Sequence, residues 1–254
     1  MTSLLMPQPY VVAPPTPRAG DATPIVRLVD VCKEYVAGET TVPVLRHVSV
    51  AFEPACFSAV AGPSGGGKST LLNILGCLDV PTRGEYWLDG ERVAADDPAQ
   101  ATRLRREHFG FVFQSFNLMP VLSALENVQL ALAHLGLRAA ESRARAFEML
   151  DRVGLADRAG HRPPQLSGGQ QQRVAVARAL VKRPRIIFAD EPTANLDEES
   201  TTAIVALMQR LNAEDGVSFI IATHDPAVYG QARRIYRMVA GGLQAIETLG
   251  GPHE

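Results

Sequence analysis

The run Gly62-Pro63-Ser64-Gly65-Gly66-Gly67-Lys68-Ser69-Thr70 leaves this chain few ways to fold. A glycine, four residues and then Gly-Lys-Ser is the spacing that wraps backbone around a phosphate, and it operates between a strand and a helix. Both flanks comply. Phe57-Ser58-Ala59-Val60-Ala61 is an apolar run suited to a buried strand, and Leu71, Leu72, Ile74, Leu75 and Leu78 recur at helical spacing. Glycines let the backbone turn its N–H groups inward, and the helix dipole aims at the same point. Lys68 is placed to reach phosphate oxygens and Ser69 to ligate the accompanying magnesium ion.

Composition narrows the partners. With 25 Lys and Arg against 27 Asp and Glu in 254 residues, the formal net charge is −2, so nucleic acid is not the expected partner. Cys32, Cys56 and Cys77 lie far apart and read as reduced core thiols. No apolar stretch is long enough to span a bilayer, and the start has no secretory pattern. Residues 1–24 carry Pro7, Pro9, Pro14, Pro15, Pro17 and Pro24, the composition of a disordered or polyproline-like tail. Residues 249–254 read as a second tail.

Order is expected from Ile25, where Ile25-Val26-Arg27-Leu28-Val29 alternates as a half-buried strand. A second alternation runs from Val44 to Ala51, and Tyr86-Trp87-Leu88-Asp89-Gly90 ends in an Asp-Gly turn, so an antiparallel sheet should flank the nucleotide strand. Arg103, Arg105, Arg106 and His108 form a basic cluster, either a solvated helix face or a contact for a phosphate-bearing surface or protein partner. Phe109, Phe111 and Phe113 alternate as a strand that Gln114 ends. From residue 115 to 183 the pattern is helical, with a capping box at Ser123-Ala124-Leu125-Glu126 and a segment from Ala139 to Val153 bearing Phe147, Leu150 and Val153 on one face. This stretch reads as a helical subdomain inserted into an α/β core formed by residues 25–114 and 184–248.

Within the insertion, Leu166-Ser167-Gly168-Gly169-Gln170 precedes a strong helix. Ser167 is its N-cap, and two glycines leave first-turn N–H groups uncovered, a second helix end open to an anion. Ile186-Ile187-Phe188-Ala189 then leads to Asp190 and Glu191. At the carboxyl end of a parallel strand these acids face the ligand crevice, where Asp190 suits magnesium and Glu191 suits activation of a water. Val217 to Thr223 repeats the strand pattern, and His224 at its end is a candidate sensor of the terminal phosphate. After Ile235 to Val239 come a Gly241-Gly242 turn and a short tail.

Together these motifs resemble the nucleotide-binding subunit of ATP-binding-cassette (ABC) transporters over residues 25–248. The resemblance implies a P-loop NTPase core of RecA-like type, with an antiparallel β subdomain and the inserted helical one. By it, Tyr35 would stack on adenine, Gly62, Ser64, Gly65, Gly66, Gly67, Lys68, Ser69 and Thr70 would bind ATP, and Gln114 would join Ser69 and Asp190 around Mg2+. Ser167, Gly168, Gly169 and Gln170 would be the signature that meets the opposite subunit's ATP. Glu191, His224 and Lys68 would carry catalysis, and Asn195-Leu196-Asp197 would form the D-loop. Asn73-Ile74-Leu75-Gly76-Cys77-Leu78-Asp79 and Phe116-Asn117-Leu118 are similar to the MacB/LolD group.

That group implies a second copy of the chain as ATP-sandwich partner and an integral-membrane permease, with a periplasmic adaptor in some systems. The chain ends at Glu254, so the permease is expected to be separate or to have been cut away. The expected place is the cytoplasmic face of the inner membrane, held peripherally. Two other functions share the motifs: an ATPase for envelope remodelling or cell division that moves no substrate, and a soluble cassette ATPase, for which the chain lacks a second cassette or coiled-coil insertion.

Overall fold

The computed structural model describes residues 23–38, 40–94 and 96–248. The expected tails therefore lie outside the described residues, apart from Thr23 and Pro24. In chain order the elements are β1 (Val26–Ala37), β2 (Thr40–Phe52), β3 (Phe57–Ala61), α1 (Lys68–Leu75), β4 (Arg83–Leu88), β5 (Glu91–Val93), α2 (Pro98–Glu107) and β6 (Phe109–Phe113). Then come α3 (Ala124–Leu130), α4 (Ala139–Arg152), α5 (Gly168–Leu180), β7 (Ile186–Asp190), α6 (Glu198–Asp215), β8 (Ser218–Thr223), α7 (Pro226–Tyr229), β9 (Arg234–Val239) and β10 (Gly242–Thr248).

Two sheets form. β2-β1-β4-β5 is antiparallel throughout, and β10-β9-β3-β8-β7-β6 is parallel except for its edge strand β10. The Asp-Gly turn joins β4 to β5 as expected: Asp89 and Gly90 both hold positive φ, which a tight hairpin requires. β3 and β8 are buried along their whole length, the mark of strands covered on both faces.

Side-chain alternation assigns the two faces. Ala59, Ala61, Ile187, Phe219 and Ile221 pack with Leu125, Val128, Leu150, Val153, Val174 and Ile204 on one side. Val60, Phe188, Ile220 and Tyr236 pack on the other with α1 and with Leu28, Val50, Phe52 and Tyr86 of the antiparallel sheet. Each of these large side chains contributes about 1.5–3 kcal/mol by leaving water. The helices between residues 115 and 183 thus share one apolar core with the parallel sheet. All three cysteines are buried and free.

Two local expectations are corrected. α1 stops at Leu75, capped by Gly76, with Cys77 turning at φ +53°, so Leu78 is exposed instead of continuing the helical face. α4 buries Ala146, Met149 and Leu150 with Val153 after it, while Phe147 is 46% exposed, because its position is rotated away from that stripe. Beyond Gly241 the chain is β10, paired with β9, within the stretch expected to belong to the core as far as residue 248. Arg105 is more than a solvated charge: it donates to the Cys77 carbonyl at 2.6 Å and ties α2 to the end of α1.

Candidate active site

Strand register aligns the expected residues. Ala61 pairs with Thr223, Ala222 with Asp190, and Asp190 with Phe113, so Gly62, His224, Glu191 and Gln114 leave the sheet side by side at its carboxyl edge. A parallel sheet opens its ligand crevice at that edge.

The loop before α1 is shaped by contacts that forbid side chains. A Cβ on Gly62 would stand 2.0 Å from the Met238 carbonyl oxygen, and Gly67 holds φ +98° as it turns the chain into α1. No side chain caps α1, so its first-turn N–H groups open into the loop. Lys68 is only 5% exposed. Its Nζ donates to the carbonyls of Gly62 at 2.9 Å and Pro63 at 3.0 Å and lies 3.5 Å from Glu191 Oε1. An ammonium folded into an N–H-lined loop calls for a ligand with several anionic oxygens.

Glu191 sits at φ +44°, just past β7. That backbone costs on the order of 1 kcal/mol or more and is held in place from both ends. Its N–H donates to the Ala222 carbonyl at 2.9 Å, and its Oε1 lies 2.9 Å from His224 Nδ1. With the carboxylate ionised, Nδ1 carries the hydrogen and the imidazole's other nitrogen is left for a further partner. The His224 side chain is 56% exposed, against 15% for Glu191.

Next to this pair, the Ser69 hydroxyl donates to Asp190 Oδ1 at 2.9 Å. Burial raises the Asp190 pKa and repulsion from Glu191 adds to it, against the Ser69 bond and Lys68. A hydroxyl and a carboxylate that burial disfavours as an anion form an oxygen pair suited to magnesium, whose charge would relieve that cost. Gln114 is exposed, and its carbonyl accepts from Asn195 Nδ2 at 3.1 Å. Among the described residues no hydrogen bond links its side chain to Ser69 or Asp190.

The Tyr35 hydroxyl donates to Asp79 Oδ2 at 2.6 Å, and Lys33 Nζ stands 4.7 Å over its ring. Burial and then the Asp79 bond raise its pKa. Lys33 also pairs with Asp79 at 2.6 Å. The Ser167 hydroxyl accepts from the Gln170 N–H at 3.3 Å, and the Gln170 side chain accepts from the Ser167 N–H at 3.0 Å. Among the described residues no hydrogen bond joins this box to the Lys68 loop of its own chain. Its neighbours are the turn before α6: a Cβ on Gly168 would meet Leu196 at 3.2 Å, and one on Gly169 would meet Ser200 Oγ at 3.1 Å.

A profile described as "ABC transporter" matches residues 45–194. The chain belongs to the ABC transporter family. Its chemistry is accordingly ATP binding and hydrolysis. It is 49% identical over 222 residues to "Macrolide export ATP-binding/permease protein MacB" of Syntrophobacter fumaroxidans, covering 87% of this chain and 31% of that one. It is 47% identical over 210 residues to the "Uncharacterized ABC transporter ATP-binding protein YvrO" of Bacillus subtilis, covering 83% of this chain and 91% of that one. The chain thus spans about a third of that MacB protein and nearly all of YvrO. Among solved structures, the dimeric post-hydrolysis state of the ATP-binding cassette MJ0796 bound to ADP and Pi superposes with TM-score 0.82 at 44% identity, over 89% of this chain and 99% of that one.

Lys68, Ser69, Asp190, Glu191 and His224 therefore meet in one crevice of this cassette, with Tyr35 held by Asp79 and the Ser167–Gln170 box beside Leu196 and Ser200. Sequence reasoning missed Lys33, and it named Asp79 only within a motif, without the bond by which it fixes Tyr35 from a distant part of the chain. It also missed the capping role of Gln170, although Ser167-x-x-Gln170 has the same form as Ser123-x-x-Glu126.

Proposed function

We propose that two copies of this chain close head to tail around ATP and that the cycle of closing and opening drives an integral-membrane permease. The observation that carries this is the outward, glycine-opened start of α5. It packs beside Leu196 and Ser200 of its own chain, and among the described residues no hydrogen bond joins it to its own Lys68 loop, so the anion it suits comes from another copy. The family's dimeric cassette with ADP and Pi supports the same reading.

In this reading Lys68 and the loop amides hold the phosphates and Tyr35 stacks on the adenine. Ser69 and Asp190, with Gln114, hold magnesium, which when bound neutralises phosphate charge. Glu191 takes the proton of the attacking water, and His224, bonded to Glu191, fixes that carboxylate and contacts the terminal phosphate. The helical part, residues 115–183, and the Gln114 loop face the membrane partner, at the cytoplasmic face of the inner membrane. The MacB relatives, named ATP-binding/permease proteins, support a permease of that kind, with or without a periplasmic adaptor.

The test is ATP-dependent sizing in a Glu191→Gln background. Adding Ser167→Arg should leave nucleotide affinity of the single chain within about twofold but abolish the ATP-induced dimer. Ser167 is a better probe than Gly169, where any side chain meets Ser200 of the same chain. A folded double variant that dimerises normally would remove the signature from the opposing site.

A further inference from the structure

The segment after Gln114 runs through backbone that only an outside grip would hold. Phe116 and Asn117 both sit in the left-handed region, at φ +59° and +51°. Two consecutive non-glycine residues in that region are costly and persist only where their surroundings fix them. The grip comes from Arg178, in the last turn of α5. Its guanidinium donates to the Phe116 carbonyl at 2.8 Å and to the Asn117 carbonyl at 2.5 Å.

Arg178 has no other visible reason for its place. Burial lowers its pKa, though a guanidinium stays charged, and among the described residues no carboxylate pairs with it. A half-buried guanidinium whose hydrogen bonds go to two carbonyls depends on those carbonyls as much as the loop depends on it. The same loop is also held at the other end of α5. A Cβ on Gly168 would come within 3.9 Å of the Phe116 ring and 3.7 Å of the Asn195 carbonyl oxygen, and the Asn195 side chain donates to the Gln114 carbonyl. Gly168 and Arg178 are about 15 Å apart along the helix axis. The loop therefore meets α5 near its exposed start, through the Phe116 ring, and is gripped by the side chain of Arg178 from its last turn.

We infer that Arg178 is a positioning residue that sets the Gln114 loop against the Ser167 end of α5, so that Gln114, at its own chain's nucleotide, and the signature, at the opposite copy's, move as one rigid unit. The inference rests on the proposed head-to-tail site. It assigns Arg178 no contact with nucleotide. Nucleotide binding by one chain rests chiefly on Lys68 and the loop amides, which Arg178 does not touch, with Gln114 entering only through magnesium, whereas pairing of two chains needs Gln114 and Ser167 in register.

The experiment compares Arg178→Met, which keeps stem length and loses both donors and the charge, with Arg178→Lys, which keeps the charge and loses the two-pronged geometry. Both are made in the full chain with Glu191→Gln. Fluorescent ATP-analogue titration reads single-chain affinity, light scattering reads the ATP-induced dimer, and circular dichroism confirms folding at the assay temperature. The expected result is single-chain affinity within about twofold of the parent, with the ATP concentration for half-dimerisation raised at least tenfold in Arg178→Met and by an intermediate factor in Arg178→Lys. A merely structural arginine would lower the melting temperature and leave the dimerisation of folded protein unchanged. A folded Arg178→Met chain with parental dimerisation overturns the inference. If that variant does not fold, parental dimerisation by Arg178→Lys overturns it. Failure of the Glu191→Gln parent itself to dimerise with ATP refutes the underlying site, and the inference falls with it.

Discussion

Replacing Glu191 with Gln removes a charge that serves two neighbours at once, so one substitution should change both catalysis and apo stability. The carboxylate lies 3.5 Å from the ammonium of Lys68, and both side chains are well buried, at 15% and 6% exposed. At an effective dielectric of about 20, two unit charges at that spacing attract by about 5 kcal/mol before desolvation is counted. The net loss is smaller, because Lys68 keeps its carbonyl bonds to Gly62 and Pro63 and a glutamine oxygen still accepts from His224. A destabilisation of roughly 1–3 kcal/mol follows. In a chain of this size that lowers the melting midpoint by about 2–12 °C. Bound ATP replaces the lost anion beside Lys68, so the ATP-induced rise in midpoint should be larger in the variant than in the parent. Hydrolysis should fall by roughly 10² to 10⁴ fold, because no base takes the proton of the water. The assays are thermal melts with and without ATP and phosphate release at saturating ATP. Turnover within tenfold of the parent would refute the catalytic assignment. An apo midpoint at or above the parent's would refute the electrostatic account of the Lys68 pair.

Lys68→Ala removes the charge-assisted contact to phosphate, worth roughly 1.5–3 kcal/mol, and should weaken nucleotide binding by about 10- to 150-fold in a titration. Unchanged affinity would contradict the loop assignment. Asp190→Asn should raise the apo melting midpoint at pH 7 while abolishing turnover. The folded pKa of Asp190 lies above its unfolded value, so the stability linked to its proton is present below the unfolded carboxylate value of about 3.9 and is lost as pH rises through the folded one. The advantage of Asn should therefore shrink toward acid pH, and a variant that melts lower than the parent at pH 7 would show that Asp190 is not held at a cost.

The sequence by itself determined the elements that a local pattern defines. The glycine spacing at 62–67 specified the phosphate loop, because a Cβ at Gly62 has no room and Gly67 turns at positive φ. The apolar runs marked β3, β7 and β8, and Asp89-Gly90 marked the β4–β5 hairpin. Ser123 and Ser167 announced the starts of α3 and α5 through hydrogen bonds that span three residues. Glu191 and His224 were legible as strand-end residues, since in a parallel sheet every strand delivers its carboxyl end to one edge.

Tertiary structure decided what depends on partners far along the chain. The orientation of Phe147 turned on which stripe of α4 met the core, and neighbouring apolar residues left two faces possible. β10 formed because β9 offered it an edge, a pairing with no local signature beyond the turn. Tyr35 is fixed by Asp79 across 44 residues of sequence, and the loop after Gln114 by Arg178 across more than 60. Such contacts are single hydrogen bonds between segments with no shared periodicity, so only the packed sheet and helices bring their atoms within reach.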